Sequence, residues 1–172
     1  MDKFQKVYLE HQARKKNALL RKKLVPKNKY SMNDRRILRE IITNRKSVRI
    51  FKRKIDDKEI AQIIKVAKLA PSSCNRHGVE IRIAPKKLTK LLVGGKGWCN
   101  KGTVLAFYAH MKCYKSPYEK EFMPYLDTGF MAQNIYLYCE TKKLGCCFIN
   151  PNTHNKYKLK NKLLTGAITI GW

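Results

Sequence analysis

Two short stretches of this chain combine residue types that could do chemistry. Arg45-Lys46-Ser47-Val48-Arg49 sets three cations around one hydroxyl. Guanidinium forks and a hydroxyl donor suit the oxygens of a phosphate. Pro71-Ser72-Ser73-Cys74-Asn75 clusters short hydrogen-bonding groups behind a proline. Such side chains bond local backbone or a ligand. Together the two stretches suit a phosphorylated, flat cofactor. Taken singly, each has a plainer explanation: a solvated helix end for the first, a helix terminator for the second.

Other constellations are missing. Val93-Gly94-Gly95-Lys96-Gly97-Trp98 is glycine-rich. It contains neither the G-x-G-x-x-G of a dinucleotide site nor the Gly-Lys-Ser/Thr of a P-loop. Cys74, Cys99, Cys113, Cys139, Cys146 and Cys147 include no C-x-x-C pair, so no zinc or redox motif is read from them. Cys146 and Cys147 lie side by side in an apolar run, as buried thiols of a strand would. His77, His110 and His154 are isolated and are expected at the surface or in the core. No catalytic triad and no carboxylate pair is evident.

The 172 residues fit one domain with a real core. A net charge of +26 creates a field that draws in anions: nucleic acid, phosphorylated cofactors, acidic surfaces. Residues 1–54 hold 19 Lys+Arg against 4 acids, and residues 55–172 hold 19 against 8, so the excess is concentrated towards the N-terminus. A lysine-rich bias that merely solvates the surface is the bland alternative. MDKFQKVYLE lacks the apolar segment of a signal peptide, and no apolar run reaches the length of a membrane span. The cysteines are therefore expected to be reduced, and the protein cytoplasmic with no membrane partner.

The elements that must position the two stretches follow from pattern. Residues 1–30 are a basic extension, with a helix expected over 5–24 and ended by Pro26; residues 31–172 form the domain proper. Ser31-x-x-Asp34 opens a helix over Met32 to Asn44 that delivers the Arg45–Arg49 cluster. Ser47 to Phe51 is a short extended segment. Asp56 with Glu59 starts a second helix, whose apolar face is Ile60, Ile63, Ile64, Ala67 and Leu69. Val79, Ile81 and Ile83 alternate as a half-buried strand. Lys86 to Leu92 is a short helix or turn, and Thr103 to Ala109 a buried central strand. Residues 113–123 are expected to form an aromatic loop (Tyr114, Tyr118, Phe122) acting as a lid. A long apolar helix from Met123 to Lys143 would carry Pro124 in its first turn and end at Gly145. It belongs in a core or a dimer interface. Cys146 to Ile149 is a strand, Thr153 to Leu164 a lysine-rich helix, and Ala167 to Ile170 a final strand. Helices first, then strands separated by helices, favour an α+β sheet with helices on its faces.

Four segments, RKSVRIF, LAPSSCN, YLDTGFMAQNIYLYCETKKLGCCF and GAITIGW, taken in this order, resemble the FMN-dependent nitroreductase family across roughly residues 40–172. The resemblance implies a mixed, mainly antiparallel sheet flanked by helices, in an intertwined homodimer with two FMN sites at the subunit interface. It implies electron transfer from NAD(P)H through FMN to a nitroaromatic, quinone or similar acceptor. Arg45, Lys46, Ser47 and Arg49 match the segment that holds the phosphate, ribityl chain and pyrimidine edge. Pro71, Ser72, Ser73 and Asn75 match the turn that approaches the ring from the second subunit. Ile149, Asn150 and Pro151 match the segment along the ring, where a main-chain N–H faces flavin N5.

The resemblance has departures. The family continues its turn as Asn-x-Gln-Pro-Trp, where this chain has Asn75-Arg76-His77-Gly78-Val79. Family members run past Ile-Gly-aromatic with a further basic residue on the phosphate, where this chain stops at Trp172. Weakened phosphate binding, or compensation by Lys46, Lys52 or Arg53, is expected from that. Two other functions stay open at this point: a basic protein on the same fold that binds nucleic acid or another anion, and a degenerate relative without redox activity. No helix-turn-helix, zinc-finger or RNA-binding signature supports nucleic acid.

Overall fold

The computed structural model describes residues 29–93, 101–150, 158–159 and 161–172. The chain forms two compact units, residues 1–39 and 40–172. The helix expected over 5–24, the glycine-rich loop at 94–98, and Pro151 lie outside the described residues.

Of the first unit, residues 29–39 include the start of helix α1 (Met32–Asn44). Its cap is the reciprocal one the sequence suggests. The Ser31 N–H donates to Asp34 Oδ2 at 2.8 Å, and the Asp34 N–H donates to Ser31 Oγ at 3.1 Å. Two otherwise orphaned donors are thereby satisfied.

The second unit is a sheet with helices on both faces. Helix α2 (Asp57–Ala67) starts where Asp56 accepts the Glu59 N–H at 2.7 Å, and it buries Ile60, Ile63 and Ala67. Leu69, expected on the same face, lies beyond the helix end and is 77% exposed. There follow β1 (Val79–Ile83), α3 (Lys86–Val93), β2 (Thr103–His110), α4 (Pro117–Thr141), β3 (Gly145–Ile149), β4 (Lys158–Leu159) and β5 (Lys162–Gly171). The strand order is β1-β2-β5-β3, with β4 paired to the start of β5. Every pairing among the described residues is antiparallel.

Strand β2 is a continuous apolar run because both its faces are covered. Leu105, Phe107 and Ala109 join Ile63 of α2 and Ile135 of α4 in one core. Val104, Ala106 and Tyr108 join Leu88 and Leu92 of α3 in the other. Side chains alternate across a strand, so a strand with two buried faces is apolar at successive positions, Val104 to Phe107 here.

Several expectations are corrected. Helix α4 begins at Pro117, not near Met123. Ser116 caps it by accepting the Glu119 N–H at 3.1 Å, and Pro117 sits in the first turn, where its missing N–H costs nothing. Pro124 is therefore inside the helix, buried rather than in the first turn. The lid loop over 113–123 does not form. Tyr118 and Phe122 ride on the helix with their rings 5.0 Å apart, and Tyr114 is buried. The lysine-rich helix over Thr153 to Leu164 is also overturned where the chain is described. Lys158–Leu159 and Lys162–Leu164 are strand, and β5 starts at Lys162 rather than Ala167. Pairing of Lys162–Leu164 with β2 and β4 overrides the local preference of the lysines.

Gly145 does not terminate α4. That helix ends at Thr141, with Lys142 as its C-cap and Lys143 at φ 55 in the left-handed region. Gly145 opens β3, and its missing side chain admits the segment after α1. A Cβ there would lie 2.7 Å from Val48 Cγ1 and 3.3 Å from Phe51 Cε1. Gly145→Ala should destabilise the protein by about 1–3 kcal/mol through overpacking, measured as a lower urea midpoint with unchanged slope.

Candidate functional site

The cationic stretch is an extended segment laid along the outer edge of β3. The Val48 N–H donates to the Cys146 carbonyl at 2.8 Å, and the Lys52 N–H donates to the Trp172 carbonyl. Alternation then sorts the side chains. Lys46, Val48 and Ile50 line a hollow of about 330 Å³ shared with Tyr136, Glu140 and Trp172. Arg45 and Ser47 meet Tyr136 of α4. The Arg45 guanidinium lies 5.1 Å from the Tyr136 ring centre, a cation–π contact. Ser47 Oγ is 2.9 Å from the Tyr136 hydroxyl, which also accepts the Phe148 N–H at 2.8 Å. One phenol thus ties Arg45 and Ser47 to the end of β3, where Ile149 and Asn150 follow. Among the described residues no ion pair engages Arg45, Lys46 or Arg49. Three cations on one fixed segment without a carboxylate partner are a place for an anion.

The second stretch, Pro71 to Asn75, is a strained turn. Cys74, Asn75 and His77 all have left-handed backbone, with φ of 50, 56 and 49. Non-glycine residues persist there when surrounding bonds over-determine them. Asp127 of α4, 2% exposed, supplies the main hold. Its Oδ1 accepts the Ser73 N–H at 2.9 Å and the Ser73 hydroxyl at 3.0 Å, and its Oδ2 accepts the Tyr114 hydroxyl at 2.9 Å. Burial, together with this bond to Asp127, pushes the Tyr114 phenol well above its usual range, so it stays a donor. Ser72 Oγ accepts the His77 N–H at 2.9 Å. Arg76 then binds Glu119 with both ends of its fork, at 2.8 and 3.2 Å, which fastens the turn to the start of α4.

The structure brings Arg45 and Ser47 together with Phe148, and gathers Pro71, Ser72, Ser73 and Asn75 in one turn. It does not bring these two groups to one place within a chain. Asp127 and Tyr136 are separated by ~13 Å of helix rise and roughly half a turn of rotation. They therefore flank the buried face of α4 from opposite sides.

Asp127 and Tyr136 lie within the third resembling segment, which assigns them no role; Tyr114 is expected only as a lid aromatic, and the Arg76–Glu119 pair carries no motif. The helix also holds Thr128, Gln133 and Asn134, so polarity alone does not single out Asp127 and Tyr136; their burial does. A buried carboxylate or phenol must find partners. Among the described residues no group of His, Cys, Asp or Glu is placed to hold a metal ion, and no helix is long and apolar enough to cross a membrane.

An antiparallel sheet covered by helices on both faces is shared with a group of solved oxidoreductases. NfrA1 nitroreductase from B. subtilis superposes with a TM-score of 0.68 at 20% identity, covering 78% of this chain and 65% of that one. A protein assigned as an NAD(P)H:FMN oxidoreductase from Staphylococcus epidermidis gives 0.67 at 19% identity, over 78% and 85%. A protein assigned as a nitroreductase from Desulfovibrio desulfuricans, in complex with FMN, gives 0.65 at 15% identity, over 78% and 84%. The family model of the Nitroreductase family matches residues 42–93 and 89–167, and the chain belongs to that family. No curated protein matches the sequence.

The Arg76–Glu119 clamp makes a pH prediction. Hydrogen bonds from Arg76 first, then from the Lys115 backbone, draw the Glu119 carboxyl from its ordinary 4.5 down to about 2. A depressed carboxylate stabilises the fold above its unfolded pKa. That contribution is lost as pH falls from about 4.5 towards 2. Acid titration of Glu119→Gln should show a shallower loss of stability across this window than the parent protein.

Proposed function

We propose that the protein is an FMN-dependent oxidoreductase that passes electrons from NAD(P)H to a nitroaromatic, quinone or similar acceptor. One observation carries the proposal: three cations without an ion pair among the described residues and a serine, fixed along the β3 edge, in a chain of the Nitroreductase family. A dianionic phosphate fits Arg45, Ser47 and Arg49 chemically, since guanidinium forks and hydroxyls donate to its oxygens. Lys46, on the opposite side of the segment, adds charge without a matching bond. The main chain at Ile149 and Asn150, at the end of β3, would hold the ring. When bound, FMN supplies a ring that accepts a hydride and returns electrons to an acceptor, while the protein's part is to bind, orient and exclude water.

The Pro71-Ser72-Ser73-Asn75 turn lies on the other flank of α4, so a single chain does not complete this site. The proposal is therefore a homodimer, with the turn of one protomer facing the cationic segment of its partner. An apolar stripe on α4 supports it. Tyr118, Phe122, Leu126 and Phe130 recur every fourth residue and are exposed, by 64% at Tyr118. Gly129 beside them meets open space. A stripe of this kind suits burial against a second copy.

The decisive measurement is a visible spectrum of the purified protein after FMN is added and the excess removed. Retained flavin bands are expected; their absence refutes the proposal. Arg45→Ala should weaken FMN binding about tenfold or more, the worth of one charge-assisted hydrogen bond. Phe130→Glu should shift the protein from dimer to monomer on gel filtration and lose FMN with it. Retention of FMN by the monomer would show that the site lies within one chain.

A further inference from the structure

The Tyr136 hydroxyl lies within the third resembling segment, which by itself assigns it no role. It is on the flank of α4, in a side chain 8% exposed. It takes the Phe148 N–H at 2.8 Å, a backbone group on the open edge of β3, and it lies 2.9 Å from Ser47 Oγ. A phenol has one hydrogen to donate. The bond from Phe148 N uses oxygen lone-pair density and leaves that hydrogen free. Among the described residues Ser47 Oγ is the acceptor within reach. Either oxygen could donate at this distance; donation from Tyr136 to Ser47 gives the phenol hydrogen an acceptor, whereas the reverse leaves it without one among the described residues.

The direction of this bond decides what Ser47 can do. A serine hydroxyl that accepts from Tyr136 keeps its own hydrogen for a third group. Ser47 is exposed. Arg45, stacked on the same phenol ring, adds a cation beside it. We propose that Tyr136 is a positioning residue that fixes Ser47 as a hydrogen-bond donor, so that the site selects a phosphate-bearing flavin over the same ring without phosphate. A phosphate dianion accepts hydrogen bonds and donates none. The chain of donors therefore runs in one direction: Phe148 N–H, Tyr136 O–H, Ser47 O–H, phosphate oxygen. The inference rests on the flavin function proposed above.

The test is equilibrium binding of FMN and of riboflavin to the full chain, by quenching of flavin fluorescence. The parent protein is measured first. Failure to bind FMN there overturns the flavin function itself, and this inference with it. Given parent binding, Tyr136→Phe should weaken FMN roughly five- to tenfold while riboflavin changes less than about twofold, as expected when part of one bond to a charged acceptor is lost. Ser47→Ala, at an exposed position that threatens folding least, should cost FMN about tenfold and likewise spare riboflavin. In the Ser47→Ala background Tyr136→Phe should add nothing to the FMN-to-riboflavin ratio. Equal loss of both flavins in Tyr136→Phe would mean that the phenol only holds β3 in place. An additive effect of the two substitutions on the ratio would likewise overturn the proposal.

Discussion

One helix holds both halves of the candidate site, and its pitch dictates how they can meet. Asp127 and Tyr136 of α4 are each buried polar groups in an apolar setting, and each is kept there by the bonds it makes. Asp127 closes on Ser73 and Tyr114; Tyr136 closes on Ser47 and the Phe148 backbone. Because roughly half a turn of helix rotation separates them, the turn and the cationic segment are carried on opposite flanks. The helix acts as a rigid spacer between two binding elements, and it also carries an exposed apolar stripe between its ends. Shape and site assembly therefore depend on the same element.

The two halves are held by different means. The turn at 72–77 stores backbone strain at three non-glycine residues, and a buried carboxylate with three donors offsets it. The cationic segment is unstrained and peripheral. It is registered on β3 by a main-chain bond at Val48, by close packing over Gly145, and by the phenol of Tyr136. This edge of β3 is thereby covered by the protein's own chain, which prevents it from templating another strand at Cys146 and Phe148. The same device that protects a sheet edge presents three cations without an ion pair among the described residues.

A second electrostatic cluster lies elsewhere on the sheet. Burial alone would raise the Glu80 carboxyl, but bonds from Lys162 and His110 and the charge of Arg82 outweigh it and hold it at about 2. Glu80 thus joins β1, β2 and β5 through side chains as well as the ladder. It uses up several cations that composition alone would count as available to a polyanion.

Local signals in the sequence determined much of this protein. Both capping pairs, Ser31 with Asp34 and Asp56 with Glu59, start helices where they stand, because caps are contacts within a few residues. The alternation of Val79, Ile81 and Ile83 and the apolar run from Thr103 gave strands at those places, because burial on one or two faces leaves a mark of period two or none. Four short segments in order pointed to the family. What tertiary structure alone decided involves partners far apart in the chain. The lysines before Leu164 became strand since β2, β4 and β5 pair there. Gly145 serves the approach of Val48 and Phe51, and the Tyr118–Phe122 pair rides a helix capped by Ser116. Asp127 and Tyr136 acquired roles only when Ser73, Tyr114, Ser47 and Phe148 were brought to them, since a buried polar group is defined by the neighbours that satisfy it.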